Sequence, residues 1–419
     1  MGELKYRSLR GMPDIMPERA GRMRLVEDTA RKIFKLYGYR EISTPILEAT
    51  EVFTTGIGED TDIVEKEMYT FSDRGGKSVS LRPEGTAPMI RAFIENGFGN
   101  TPDIFRFFYS GPMFRGERPQ KGRLRQFHQI GAEIIGSYDP YADAELILTL
   151  EKILRRLKVE GHQILINSLG CASDRKEYAK ILAGHFNRHI GKLCEDCVRR
   201  ASGNVLRVLD CKAAGCKEVS REAPEITGYL CGDCESSYRD IRDILAREGV
   251  PFVERTSLVR GLDYYTGVIF EVIHPALGAQ DALAAGGRYD GLCSRMGGPS
   301  VGATGYAVGV ERLIMAVPEE QCETGSPGIF IIPLEESFKP AAFRLVEKFR
   351  EMAVSCDMDL TGRSVRAQMR KAGKEERDIV IFVDEALETD GRVSVKSMVS
   401  GEQYDTGVDD LVEKIRKDQ

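Results

Sequence analysis

Residues 104–135, IFRFFYSGPMFRGERPQKGRLRQFHQIGAEII, decide the fold. Two apolar runs, 104–109 and 124–135, read as antiparallel strands. The link at 115–123 is too polar, and too rich in glycine and proline, to be either. Side chains alternate along a strand, so Gln129, Gly131 and Glu133 share one face, and His128, Ile130 and Ala132 the other. An uncharged hydrogen bonder and a carboxylate, separated by a missing side chain, make a floor for a small polar ligand. Arg115 and Arg123 at the loop edges suit a phosphate. The same pattern fits a half-solvated hairpin with ordinary surface charge, and the rest of the chain must decide.

A length of 419 residues suggests two to four domains, at roughly 150 residues each. Hydrophobic content of 42% and charged content of 30% are those of a globular protein with a real core. The net charge of −6 gives no general basicity, so any polyanion site must be a local patch. The opening MGELKYRSLRGMPDIMP has no apolar signal-type run, and no stretch approaches membrane-spanning length. A cytoplasmic protein with no membrane partner is the expectation. Ten cysteines in so long a chain suggest thiols or metal ligands, not a disulfide scaffold.

Outward from the hairpin, apolar spacing predicts amphipathic helices over 18–37 and 139–157. Residues 40–44 form a short strand that proline 45 stops, so it belongs at an edge, where a dimer contact or a simple turn fits equally. A strand at 79–81 runs into Glu84, and a helix follows Pro88. Glu84 is either a ligand group held in a turn or a helix-start carboxylate. Further strands are expected at 162–168 and 268–273, with a small-residue strand in 282–292 that ends in a double glycine and a small-residue segment at 302–315, both of which admit a flat ligand or close packing. Arg312, at the helix start in the second of these, suits a phosphate. Residues 317–327 read as a linker, and a βαβ rhythm beyond it indicates a separate α/β domain. There Arg363, Arg366, Arg370 and Lys374 fall on one face, either for RNA or as a solvated stripe.

The segment 194–234 stands apart. It carries two CxxC pairs, Cys194/Cys197 and Cys231/Cys234, and a wider pair, Cys211/Cys216. Such knuckles supply thiolates to a tetrahedral structural zinc. Cys194, Cys197, Cys231 and Cys234 are the expected ligands, Cys211 and Cys216 the rivals, and free thiols the alternative.

Five ordered motifs make the pattern specific. GYREISTPILE, FRGERPQKGRLRQFHQIGAEIIG and TGYAVGVERL resemble the three signature motifs of class II aminoacyl-tRNA synthetases. LVRGLDYYTG at 258–267 and AAGGRYDGL at 284–292 resemble the two segments peculiar to the histidyl-tRNA synthetases. The likeness covers nearly the whole chain. It implies an α+β fold: a catalytic domain at 1–325 built on an antiparallel sheet, an insertion at about 171–248, and an α/β anticodon-binding domain at 326–419. It also implies a homodimer, with Pro45 at its interface.

The resemblance further implies a reaction. Histidine and ATP, with Mg²⁺ bridging the phosphates, give histidyl-adenylate, and the terminal ribose hydroxyl of the histidine tRNA then attacks the adenylate. Arg115 would hold the α-phosphate and the substrate carboxylate, and Arg260 would stabilise charge on the opposite side. Arg123 and Arg312 would bind the triphosphate. Glu133 and Tyr264 would take the two imidazole nitrogens, with Tyr265 lining the pocket. Glu84, Thr86 and Gln129 would hold the α-amino group, with Gly85 in the same site. Arg118 and Gln120 are expected at the tRNA acceptor end.

Two departures stand out. Gly116 replaces a bulkier residue of many relatives, so a more mobile loop is expected. The cysteine cluster lies where many relatives have none, and a structural Zn²⁺ is expected there, in contact with the acceptor stem. A regulatory relative that has lost its motif residues, a synthetase for proline, threonine or glycine, and a pure RNA-binding module are the competing readings. The retained arginines 115, 260 and 312, LVRGLDYYTG and Glu133 argue against them.

Overall fold

The hairpin forms as its alternation requires. The strands Phe105–Phe114 and Gln126–Ile135 pair antiparallel over ten residues, from Phe105 opposite Ile135 to Phe114 opposite Gln126. Both faces of the first strand find cores: Phe105, Phe107, Tyr109 and Met113 pack on one side and Phe108 on the other. A strand buried on both faces reads as a near-continuous apolar run, which explains IFRFFY.

The protein, seen here in a computed structural model, is described over residues 6–58, 61–278, 281–321 and 328–417. It divides into two compact units, Met1–Cys322 and Glu323–Gln419. The expected linker falls partly on 322–327, which lie outside the described residues.

In the first unit the strands are β1 (Arg40–Glu41), β2 (Leu47–Ala49), β3 (Tyr69–Ser72), β4 (Ser78–Leu81), β5 (Phe105–Phe114), β6 (Gln126–Ile135), β7 (Gln163–Ser168), β8 (Phe252–Glu254), β9 (Thr266–Ile273), β10 (Ala282–Arg288) and β11 (Ala303–Gly309). Eight of them form one sheet in the order β1-β5-β6-β11-β10-β9-β7-β8, and β2-β4-β3 form a small second sheet. From β5 to β7 every pairing is antiparallel, while β1 and β8 add parallel at the two edges. The strand that ends before Pro45 is thus an edge strand, although it is only two residues long.

One face of the large sheet is sealed. Ile130, Ala132, Ile134, Phe270, Val272, Ala284, Tyr306 and Val308 point into a core closed by the helices Pro17–Leu36, Pro140–Arg156 and Gly232–Arg247. The second of these starts where the sequence places it, because the Asp139 carboxylate accepts from the Tyr141 N–H at 2.9 Å. The helix expected after Pro88 begins earlier, at Thr86, so that Pro88 sits in its first turn, where a missing N–H costs nothing.

The second unit holds β12 (Ile329–Pro333), β13 (Cys356–Met358), β14 (Ile379–Val383), β15 (Arg392–Ser397) and β16 (Gln403–Gly407), in the order β13-β12-β14-β15-β16. The first three pair parallel and the last two antiparallel. β16 and the closing helix Val408–Lys417 were not foreseen; QYDTG is short and polar, and its pattern resembles a loop. Arg363, Arg366, Arg370 and Lys374 are all exposed along the helix Val365–Lys374 and the loop before it.

Candidate active site

The open face of the large sheet carries the site. Directly paired residues present their side chains on the same face. Tyr109 lies opposite Gly131, Gly131 opposite Ala307, Ala307 opposite Ala285, and Ala285 opposite Glu271. Gly111, Gln129 and Gly309 form the row on one side, and Glu133, Gly305 and Gly287 the row on the other. Five adjacent strands therefore pave a floor with glycine and alanine, and stand Gln129, Glu133 and Glu271 at its margins. The small residues are required there: a Cβ on Gly305 would lie 1.5 Å from Glu133 Oε2, and one on Gly131 would enter the Tyr109 ring.

Glu133 is fully buried and held from two sides. Thr86 Oγ1 donates to its Oε1 at 2.8 Å, and the Tyr289 hydroxyl donates to its Oε2. Burial pushes its carboxyl up to about 8, against the pull of those two donors. Glu84 is buried beside it and accepts the backbone N–H groups of Thr86 at 2.7 Å and Ala87 at 2.9 Å. Its helix-start role is therefore real, and it also feels the Arg115 charge. Burial raises its carboxyl as well.

The tyrosines close one end of the floor. Tyr264 packs against Tyr265 with ring centres 4.7 Å apart, and against Tyr289 at 5.6 Å. Tyr109, Tyr264 and Tyr289 are so buried that their phenols stay protonated far beyond the ordinary range. The Tyr109 hydroxyl and Gln129 Oε1, both able to accept, are among the buried polar atoms without a hydrogen-bond partner among the described residues. Buried acceptors are normally satisfied, so these mark a place for a polar ligand.

The arginines stand around the floor. Arg115 donates through Nε to the Pro83 carbonyl at 2.9 Å and lies over the Phe127 ring at 5.3 Å. Arg123 pairs with Glu117 at 2.9 Å. Arg312 donates to the carbonyls of Gly122 at 2.9 Å and Ala282 at 2.6 Å; burial, then the nearby Arg123, hold its guanidinium below the ordinary value. Neighbouring cations that repel one another are arranged for an anion. Arg260 pairs with Glu271 at 2.6 Å and sits 5.9 Å from the Tyr265 ring centre. Arg118 and Gln120 are exposed on the loop, which turns back through backbone bonds between Gln120 and Arg123.

Sequence reasoning missed several groups. Glu271 faces the floor by strand alternation, but only the β9–β10 register shows it. Tyr289 lay within AAGGRYDGL without a role. Its neighbour Arg288 is structural: it pairs with buried Asp143 and reaches the Ser137 carbonyl. Glu311 accepts from the His128 N–H at 2.8 Å and meets the ring at 2.8 Å, which fastens the four-residue helix carrying Arg312 to β6. The Gly116 N–H donates to the Glu67 carbonyl at 2.6 Å, and a Cβ there would come 3.3 Å from that oxygen.

The expected metal set is not one site. Cys194 and Cys197 gather with Cys211 and Cys216, whereas Cys231 and Cys234 gather with Cys171 and Asp174. Each CxxC opens a different helix, Glu195–Ser202 and Gly232–Arg247, and the spacing within a pair says nothing about which pairs meet. Cys211 and Cys216 are thus companions of the first pair, not rivals to the second.

Comparison with known proteins finds relatives over nearly the whole chain. A sequence model of the family described as Histidyl-tRNA synthetase matches residues 11–313, and one described as Anticodon binding domain matches residues 328–418. Histidine--tRNA ligase of Thermotoga maritima is 44% identical over 423 residues, covering 99% of this chain and 100% of the relative. Histidine--tRNA ligase of Halothermothrix orenii is 43% identical over 411 residues, covering 97% and 98%. The crystal structure of apo S. aureus histidyl-tRNA synthetase superposes with a TM-score of 0.82 at 32% identity, covering 98% of this chain and 99% of that one.

Proposed function

Because this chain belongs to the histidyl-tRNA synthetase family, and so ligates histidine to tRNA as a class II synthetase, we propose how its residues divide the work. The family uses ATP and Mg²⁺, and no helix among the described residues is long and apolar enough to cross a membrane. The observation that carries the division of labour is the bare floor between Glu133 and the arginines. It takes a flat ligand, with a polar pocket at one margin and cations around it.

The imidazole enters the pocket of Glu133 and Tyr264, lined by Tyr265. Glu133 is fixed by Thr86 and Tyr289, so it meets the ring without reorganising. An analogue lacking the ring nitrogens leaves this buried carboxyl unpaired, which is a strong rejection. Gln129 Oε1 accepts from the α-amino group, whose charge Glu84 offsets through Gly85 and Thr86. The substrate carboxylate is already a nucleophile, so the protein mainly positions it and spreads charge in the transition state. Arg115 binds that carboxylate and the α-phosphate, and Arg260 stabilises charge from the other side. Arg123 and Arg312 hold the triphosphate, and Glu271, the carboxylate on the floor, would help to hold the Mg²⁺ that offsets its charge. Arg118 and Gln120 contact the acceptor end of the tRNA, and the exposed stripe Arg363, Arg366, Arg370 and Lys374 contacts RNA from the second unit.

Three further elements complete the proposal. The chain works in the cytoplasm. It is a homodimer through the edge around β1 and Pro45. Structural Zn²⁺ is held by the metal-ligating groups of the insertion. Purified protein supplied with histidine, ATP, Mg²⁺ and a histidine tRNA transcript should form acid-precipitable histidyl-tRNA, and should sediment at twice the chain mass. Charging without ATP, or sedimentation as a monomer under charging conditions, contradicts the proposal.

A further inference from the structure

The insertion holds two clusters of metal-ligating groups, and both lie behind the segment that carries Arg260, Tyr264 and Tyr265. In the first, the sulfurs of Cys194, Cys197, Cys211 and Cys216 all lie within 4.8 Å of one another. Cys194 and Cys211 are 3.8 Å apart. Zinc–thiolate bonds of about 2.3 Å in a tetrahedron put sulfurs roughly 3.8 Å apart, far beyond a disulfide's roughly 2.05 Å. The Cys194 N–H also donates to Cys216 Sγ at 3.2 Å, the kind of bond that favours a thiolate. In the second cluster, Cys171, Asp174, Cys231 and Cys234 likewise offer three sulfurs and a carboxylate oxygen within 4.8 Å. Cys171 and Cys231 open the helices Ala172–Arg188 and Gly232–Arg247, so an ion there would join two helix starts.

The elements bearing these clusters grip the 260–265 segment by its backbone and by the Asp263 side chain. Asn204, between the second and third cysteines of the first cluster, donates to Asp263 Oδ1 at 2.7 Å, and Arg207 donates to the Gly261 carbonyl. Arg175, one residue beyond the second cluster's Asp174, donates to the Tyr265 carbonyl at 2.6 Å. Gly170, next to Cys171, accepts from the Gly267 N–H at 2.8 Å. Cys197, Val205, Leu206, Val208 and Cys216 share one apolar core with Tyr264 and Tyr265. The helices Glu195–Ser202 and Ala214–Arg221 have only eight residues each, too few to hold their shape without outside support.

We propose that the insertion binds two structural zinc ions, one on Cys194, Cys197, Cys211 and Cys216 and one on Cys171, Asp174, Cys231 and Cys234, and that together they position the 260–265 segment for histidine. Each set is a closed sphere of four protein ligands, with no position left for catalysis. The positioning role rests on the assignment of Arg260 and Tyr264 to the substrate; the metal sites do not. The test is therefore read in two independent ways.

Full-length protein purified with zinc and a thiol reductant should carry two zinc per chain by elemental analysis, with a first shell averaging three to four sulfurs by X-ray absorption. Cys211→Ser and Cys234→Ser should each retain one, and Cys211→His, which restores a ligand, should retain two. One ion or none in the unsubstituted protein, or a shell dominated by nitrogen and oxygen, overturns the two-ion proposal whether or not the variants fold. In Cys211→Ser the KM for histidine should rise on the order of tenfold, with the KM for ATP within about twofold, and Cys211→His should reverse the change. Loss of zinc with both KM values unchanged overturns the positioning role and leaves the histidine assignment standing.

Discussion

Replacing Glu133 with glutamine keeps the shape of the pocket and removes its titrating carboxyl. Burial raises that carboxyl from an ordinary 4.5 to about 8. A raised acid binds its proton more tightly in the folded than in the unfolded chain. Between those two values the folded state therefore holds more protons, and stability falls as pH rises across the window. At about 1.4 kcal/mol per pH unit, the full cost above pH 8 is on the order of 5 kcal/mol for the free enzyme. Glu133→Gln abolishes that slope, so the variant should gain on the unsubstituted protein by a few kcal/mol at pH 8.5 in denaturant titrations, and little at pH 5. The ligand inverts the benefit. Free imidazole titrates near 6.5, so one proton shared between ring and carboxyl is most easily supplied between about pH 6.5 and 8. The kcat/KM for histidine in pyrophosphate exchange should then be bell-shaped, with an alkaline limb near 8 that the variant lacks. Losing a buried charged hydrogen bond of about 2–3 kcal/mol raises the KM for histidine roughly 30- to 150-fold, with the KM for ATP within about twofold. Equal losses for histidine and ATP, or an alkaline limb that survives in Glu133→Gln, refute the reasoning.

Other perturbations separate the remaining roles. Gly305→Ala would drive a methyl into Glu133 Oε2 at 1.5 Å; it should cost about 1–3 kcal/mol in urea unfolding and depress histidine activation more than ATP binding. Arg260→Gln should lower the single-turnover rate of adenylate formation by roughly 10²- to 10³-fold while histidine still binds. Arg288→Ala leaves fully buried Asp143 without its cation and should cost about 3–5 kcal/mol in denaturant titration. Arg366→Glu with Arg370→Glu should raise the KM for tRNA in aminoacylation and leave pyrophosphate exchange unchanged, because the groups assigned to the first step all belong to the other unit.

The hairpin was legible because its signals agree: alternation, a cationic turn, and glycine between two polar groups. The same alternation placed Gln129 and Glu133 on one face, and the structure keeps them there. What the chain could not show was lateral order. Glu271 looks like an ordinary strand carboxylate until β9 is registered against β10, which sets it beside Ala285 and within reach of Arg260. Tyr109 and Tyr289 look like core aromatics, and they are buried as such; only their approach to Gly131 and Glu133 gives them a place in the site. The cysteines show the limit most plainly. Spacing revealed three pairs, but tertiary folding brings 211 and 216 to 194 and 197, and brings Asp174, which no cysteine count includes, to 231 and 234. Arg288, a motif arginine beside a double glycine, shows its work only in the fold, where it anchors buried Asp143.

The central claim is that this floor selects histidine and activates it with ATP. Pyrophosphate exchange, run on the purified protein with each of the twenty amino acids in turn, tests it most directly. The account predicts ATP-dependent exchange with histidine, and exchange at least on the order of a thousandfold weaker with every other amino acid. Exchange absent with histidine, or stronger with any other, contradicts it.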